Sequence, residues 1–325
     1  PDIRDVESVA FDPRTTDAIY AGTWHLPWKT DNAGQTWHSV NKGIIDDSDV
    51  FAIEIDRRKP AHVIMSACSG IYESWDAGAQ FRKVQGIPSQ SRRTRAIRQN
   101  PAQPNAIYAG TTEGFWRTLT GGESWMLTTS RKLEINAIAM HPDVPQVIYI
   151  GTNNYGVMVS RDGGKTFLPS NQGYSGRRAY FLLPDRAQQG RIYASTINTA
   201  TGGGFFFISN DGGETWQPSM RNMPDRLITY AMLQDRANAN IIYLGTNLGL
   251  YRSTDRGASW SPIGAPSSEA PAARPVRRRS TTRRSAARRS TTAASSQPTA
   301  PPVPSIGSSE TAQTKAAQGA LNAAG

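Results

Sequence analysis

The octet at residues 209–216, SNDGGETW, decides the fold. It holds a hydroxyl, an aspartate two residues later, a glycine at the fifth position and a closing aromatic. These are the parts of a tight connection between two strands. Glycine takes the positive φ that other residues resist, and the serine and aspartate side chains bond backbone N–H groups freed by the turn. The aromatic then buries a large face, worth ~2–3 kcal/mol by area. Outward from this copy the octet recurs as SRDGGKTF (160–167), STDRGASW (253–260), SWDAGAQF (74–81), TDNAGQTW (30–37) and TLTGGESW (118–125). All six keep the fifth-position glycine: Gly34, Gly78, Gly122, Gly164, Gly213 and Gly257. The closing aromatics Trp37, Phe81, Trp125, Phe167, Trp216 and Trp260 are spaced 44, 44, 42, 49 and 44 residues apart. A fixed period of this length marks a stacked-repeat architecture. Asn32 and Thr120 stand where the other copies have aspartate, so those two turns are expected to be held less firmly.

Each octet follows strand-like segments in a constant order. An alternating or apolar run comes first (ESVAFDP from residue 7, VFAIEID from 50, NAIAMHP from 136), and a second follows a polar connection (AIYAGT from 18 and from 106, VIYIGT from 147, IIYLGT from 241). A third strand leads into the octet, as in GLYRST from 249, and a fourth begins at its aromatic. Four strands in about 44 residues make one propeller blade. The expected fold is therefore all-β: a β-propeller of four-stranded antiparallel blades over residues 1–264, six of them visible. PDIRDVES reads as the connection after a preceding blade, so a seventh is expected in the intact protein. The 29 glycines and 21 prolines agree with many turns and few helices.

Residues 265–325 form a second region, rich in Ala, Ser, Thr, Pro and Arg, with no aromatic residue. Such a segment buries too little apolar surface to offset chain entropy and is expected to be disordered. It holds nine basic residues against two acidic ones, so +7 of the net charge of +10 lies here and +3 on the propeller. The propeller thus has no overall nucleic-acid-binding footprint. The tail's RRRSTTRRSAARRSTT suits contact with an anionic surface or a solubilising tether. No run is long and apolar enough for a transmembrane segment. The single cysteine, Cys68, excludes an intramolecular disulfide and is read as a buried thiol.

The octets resemble the Asp-box, or BNR, repeat S-x-D-x-G-x-T-W. Propellers with this box include sialidases, xyloglucanase-type glycosidases, the sortilin luminal domain and the assembly and stability factor of photosystem II. The whole unit, with IYAGT before the third strand and one box per unit, is most similar to the last group and its bacterial relatives. That resemblance implies a non-catalytic module that binds a protein partner, outside the cytoplasm. The alternative it leaves open is an extracytoplasmic glycoside hydrolase acting on a glycan.

Strand counting places the boxes in the C–D loops, so the B–C and D–A loops share the opposite face. Those loops are richer than a scaffold requires. GTWHLPWK supplies Trp24 and Trp28, SQSRRTRAIR supplies Arg92, Arg93 and Arg95, GTNNYG supplies Tyr155, and GYSGRRAY supplies Arg177 and Arg178. Arginine and aromatic side chains anchor protein interfaces as well as glycan or phosphate sites. An arginine beside a strand end also serves as a solvated cover for apolar edges. The photosystem group has an arginine patch, which the resemblance carries to this cluster.

For hydrolysis, Asp46, Asp47 and Asp49 in the loop before the second blade are candidates only in being acidic, and no carboxylate pair can be assigned by position. A sialidase arginine triad cannot be assigned either, so no catalytic residue is named. His25, His38, His62 and His141 lack metal-ligand spacing, and no metal or other cofactor is implied. GGKT at 163–166, the Trp75–Asp76 pair and HPD at 141–143 lie in turns without the surroundings that a phosphate loop, a WD repeat or a helical-hairpin motif needs.

Overall fold

The computed structural model describes residues 3, 5–45, 48–88, 93–141, 143–197, 204–224 and 227–264. They form six four-stranded antiparallel sheets, each with its strands in chain order. Blade 1 holds β1 (Val6–Phe11), β2 (Ile19–Thr23), β3 (Pro27–Thr30) and β4 (His38–Ser39). Blade 2 holds β5 (Val50–Ile55), β6 (Val63–Ala67), β7 (Gly70–Ser74) and β8 (Arg82–Lys83). Blade 3 holds β9 (Thr94–Gln99), β10 (Ile107–Thr111), β11 (Gly114–Thr118) and β12 (Met126–Leu127). Blade 4 holds β13 (Ile135–Met140), β14 (Ile148–Thr152), β15 (Val157–Ser160) and β16 (Leu168–Pro169). Blade 5 holds β17 (Ala179–Pro184), β18 (Ile192–Ile197), β19 (Gly204–Ser209) and β20 (Gln217–Pro218). Blade 6 holds β21 (Thr229–Gln234), β22 (Ile242–Thr246), β23 (Gly249–Ser253) and β24 (Ser261–Ile263). The fourth strand starts one residue after the closing aromatic and is only two or three residues long. The box itself occupies the chain up to that point.

Every box is built by the same hydrogen bonds. The hydroxyl at its first position accepts the N–H of the fifth-position glycine at 2.7–3.1 Å, as at Thr30, Ser74, Thr118, Ser160, Ser209 and Ser253. The third-position side chain accepts the N–H of the seventh residue at 2.8–3.0 Å. Asn32 Oδ1 and Thr120 Oγ1 accept this bond just as the aspartates do. The two irregular boxes are therefore closed by neutral acceptors, and the expected loosening is absent from their hydrogen bonding.

The charged boxes add a pH dependence. At Asp76 the Ser74 hydroxyl, with the Gln80 N–H, holds the carboxyl below its usual range. At Asp162, Asp211 and Asp255 partial burial pushes the other way, but hydrogen bonds from the seventh-position hydroxyl and N–H and from the first serine outweigh it. A carboxyl with a depressed folded pKa stabilises the fold above its unfolded pKa of about 4, and that contribution is lost as pH falls through the folded value. Thermal unfolding followed between about pH 5 and pH 2.5 should show a smaller loss for Asp162→Asn/Asp211→Asn than for the parent chain. Identical pH profiles would remove the boxes from the acid response.

Between blades the repeat residues have separate tasks. The glycine of the A-G-T segment lets the next blade's inner strand approach: a Cβ on Gly22 would lie 2.7 Å from Val50 O, and one on Gly151 would lie 2.5 Å from Ala179 O. The threonine that follows tightens the B–C turn, as where Thr111 Oγ1 donates to Gly114 O at 3.0 Å and Thr152 Oγ1 to Gly156 O at 2.8 Å. The carbonyl at box position four, turned outward by a positive φ, is capped from the preceding blade. Tyr20 donates to Ala77 O, Arg117 to Gly163 O, Tyr149 to Gly212 O and Arg191 to Arg256 O.

Five apolar cores fill the five seams between consecutive blades. The inner strands pack in sequence, β1 on β5, β5 on β9, β9 on β13, β13 on β17 and β17 on β21. No comparable packing joins β21 to β1 among the described residues. The outward faces of blades 1 and 6 accordingly leave Val9, Phe11 and Leu233 more than half exposed.

Candidate functional site on the B–C and D–A face

Strand order puts the turns after β2, β6, β10, β14 and β22 at the same end as the starts of the inner strands. Hydrogen bonds stitch the two sets together in blades 1, 2, 3, 4 and 6: Trp24 N to Asp5 O, Cys68 N to Asp49 O, Thr112 N to Arg93 O, Asn153 N to Glu134 O and Asn247 N to Ile228 O. Cys68 thus sits half-buried in a B–C turn rather than inside an apolar strand, which corrects the sequence reading of a buried thiol.

Just inside this end every inner strand carries a β-bulge, because its second residue has no partner in the neighbouring strand. A bulge re-aims one side chain and breaks the in–out alternation locally. The six bulge residues are Glu7, Phe51, Arg95, Asn136, Tyr180 and Tyr230, one from each blade at the same height. Two neighbours along this row, those of blades 3 and 4, touch: Arg95 Nη1 donates to Asn136 Oδ1 at 2.7 Å. The row therefore presents an acid, an arginine, an amide and three aromatic rings at one end of the inner strands. Of these six, sequence reading singled out Arg95 alone. The signal for the others was their common position two residues into each inner strand, which becomes meaningful only once the bulge is seen.

The remaining sequence candidates fall into two groups. Trp24, 57% exposed, donates its indole N–H to Glu7 in blade 1, and Trp28 is half-buried in β3. Around blades 3 to 5, Arg93 is exposed and Arg95 is held by Glu134 Oε1 at 2.6 Å. Glu134 Oε2 also accepts from Asn153 Nδ2 at 2.8 Å. Next along, Gly156 N donates to Arg177 O at 2.9 Å, which brings the turn bearing Tyr155, 57% exposed, against the exposed Arg177 and half-buried Arg178. Arg92 lies outside the described residues, as do Asp46 and Asp47.

Electrostatically the two groups differ. In blade 1 burial raises the Glu7 carboxyl above its usual range, the Trp24 hydrogen bond opposes this, and the negative charge of Asp49 adds to it. In blades 3 to 5 Glu134 pairs with Arg95 and Glu113 with Arg131, while Arg93, Arg177 and Arg178 form no ion pair among the described residues.

Six Asp-box blades with a bulge-lined face opposite the boxes define the chain as an Asp-box β-propeller. A family model for the BNR/Asp-box repeat matches residues 207–218. Over 148 residues the chain is 28% identical to a xyloglucanase of a Paenibacillus species, which covers 41% of this chain and 14% of that protein. The structure of the GH74 xyloglucanase from Xanthomonas campestris is similar with a TM-score of 0.68 at 18% identity, over 80% of this chain and 45% of that one. YCF48 bound to D1 peptide is similar with a TM-score of 0.59 at 15% identity, over 79% and 81%. The extracellular domain of BT4673 from B. thetaiotaomicron gives 0.62 at 15% identity, over 80% and 33%. The chain therefore spans less than half of either xyloglucanase, and at these structural identities the likeness is one of fold.

Proposed function

We propose that this propeller is a non-catalytic binding module that takes a protein segment on the B–C and D–A face, outside the cytoplasm. The observation that carries this reading is the set of arginines that form no ion pair among the described residues, Arg93, Arg177 and Arg178, beside the exposed Tyr155 across blades 3 to 5, next to the row of bulge side chains. Arg93, Tyr155 and Arg177 supply charge and flat apolar area on adjoining loops, and Phe51, Tyr180 and Tyr230 extend that area along the inner strands. Such groups anchor a partner with little loss of side-chain freedom and suit a segment bearing carboxylates. The likeness to YCF48 bound to D1 peptide, over 81% of that chain, supports a partner of this kind. The extracellular domain of BT4673 supports the location.

The test is affinity capture with the whole chain, followed by the same capture with Arg93→Ala/Tyr155→Ala/Arg177→Ala. All three side chains project from loops, so the variant should keep its unfolding temperature while recovery of the captured protein falls at least about tenfold, the loss expected from removing two or three interface anchors. Unchanged capture by a folded variant would overturn the reading.

A second reading, hydrolysis of a glycan, has one observation in its favour. Partial desolvation and the nearby charge of Asp49 raise the carboxyl of Glu7, which is exposed and accepts from Trp24, so two carboxylates share this end of the first two blades. Release of reducing ends from xyloglucan that Glu7→Gln abolishes would support it, and no release by the parent chain would dispose of it.

A further inference from the structure

The other face of the propeller, on the side of the boxes, carries a feature that the repeat does not require. At four of the five seams a side chain of the preceding blade caps the box carbonyl at position four. Blade 2 has Ile64 where blades 1, 3, 4, 5 and 6 have tyrosine, and no such cap reaches Gly121 O among the described residues. At that seam a cleft of about 350 Å³ opens between blades 2 and 3, with Gly121 in its wall. This volume lies at the lower end of the ~300–1,000 Å³ range of small-ligand sites.

Blade 2 also departs from the repeat at three positions that meet beside this cleft. His62 replaces Ala18, Ala106, Val147, Arg191 and Ile241 of the other blades. Trp75 stands where they carry Asp31, Leu119, Arg161, Asn210 and Thr254, and Glu73 precedes the first serine of the box. The imidazole and indole stack at 3.8 Å with their planes 7° apart. His62 is 3% exposed, its Nε2 lying 3.5 Å from Glu73 Oε2 and its Nδ1 3.7 Å from Asp56 Oδ2. Neither ring nitrogen completes a hydrogen bond. Trp75, backed on one face by this ring, is 52% exposed and lines the cleft. A buried imidazole between two carboxylates, spent on holding an exposed indole flat, stabilises no apolar core and positions a platform.

The charges around the cleft are unequal in availability. Asp56 accepts two backbone N–H groups, from Arg58 and Lys59, and the Gln99 amide at 3.1 Å. Glu73 is bound by Arg82 Nε at 2.8 Å. Both carboxylates are therefore engaged, whereas on the exposed rim Arg58 spends one donor, Nη2, on Ala102 O at 3.3 Å, and neither it nor Lys59 forms an ion pair among the described residues. Gln103 and Asn105, exposed on the blade 3 side, add amide donors and acceptors.

We propose that this cleft binds an acidic saccharide, with a sugar ring against Trp75, its hydroxyls at Gln103 and Asn105, and a uronate carboxylate at Arg58 and Lys59. The C–H face of a pyranose is apolar and weakly positive, which suits the negative face of an indole. The carboxylate fits the forked guanidinium, and the neighbouring ammonium adds charge. His62 is a positioning residue that acts through Trp75. The site lies on the face opposite the proposed protein-binding surface and stands independently of it.

Calorimetric titration of the whole chain with tetragalacturonate and with cellotetraose tests this. Tetragalacturonate should bind at least tenfold more tightly than the neutral sugar, and added salt should narrow the difference. Trp75→Ala should weaken tetragalacturonate at least tenfold, with Trp75→Phe in between. Arg58→Ala/Lys59→Ala should bring it to the level of cellotetraose, and Arg93→Ala, on the other face, should change nothing. The rim substitutions alter only exposed side chains, so they remain informative if Trp75→Ala unfolds. Absence of binding by the parent chain, equal affinity for the two sugars, or unchanged affinity in folded Trp75→Ala would each overturn the proposal.

Discussion

Gly151→Val should lower stability by about 3 kcal/mol, while Gly245→Val, the same position of the repeat two blades on, should change it by no more than about 0.5 kcal/mol. A side chain on Gly151 would place its Cβ 2.5 Å from Ala179 O and 3.1 Å from Ala179 Cβ, atoms of the next blade's inner strand. Backbone cannot move aside as a flexible side chain does, so blades 4 and 5 would have to separate and lose part of the core that includes Tyr174, Phe207 and Trp216. Gly110 is similarly confined, by Ile135 Cγ2 at 2.6 Å. Among the described residues Gly245 faces no following blade: its Cβ would meet only Ala231, in its own sheet, at 3.7 Å. Valine favours strands, so that substitution could even stabilise slightly. Denaturant midpoints of the two variants give the answer. Equal losses would mean that Gly245 also lies against a neighbouring blade.

Trp216→Ala should cost about 4 kcal/mol and Trp37→Ala about 1–2 kcal/mol, although both close a box. Trp216 is 2% exposed, packs edge-on to Tyr174 at 5.7 Å, and donates its indole N–H across the seam to Ser170 O at 2.8 Å. Its removal leaves both a cavity and a buried carbonyl without its donor. Trp37 is half-buried and turns its N–H back to Gly34 O of its own box at 3.1 Å. The same denaturation series measures both, and a loss at Trp37 matching that at Trp216 would refute the distinction.

The sequence by itself determined the strand order, the six boxes and their place in the C–D loops, because glycine at a fixed position and a closing aromatic are local demands of one turn. Counting strands from those turns also placed Trp24, Arg93, Arg95, Tyr155, Arg177 and Arg178 at one end of the blades. Local chemistry went further than expected at Asn32 and Thr120, where any side-chain oxygen of suitable reach closes the turn.

Tertiary structure alone decided what those residues meet. The bulge shifts register by one residue, so Glu7, Phe51, Asn136, Tyr180 and Tyr230 could not be read from alternation. Arg95 gained a carboxylate and an amide from the next blade's Glu134 and Asn136, some forty positions along the chain. The cleft beside Trp75 lies at the seam where Ile64, His62 and Glu73 differ from their counterparts. Each is unremarkable within its own strand, and their effect appears only where blade 2 meets blade 3. A repeat specifies what every blade shares through short-range turn chemistry, whereas a site depends on contacts between blades, and those are set by pairs of residues that no local pattern connects.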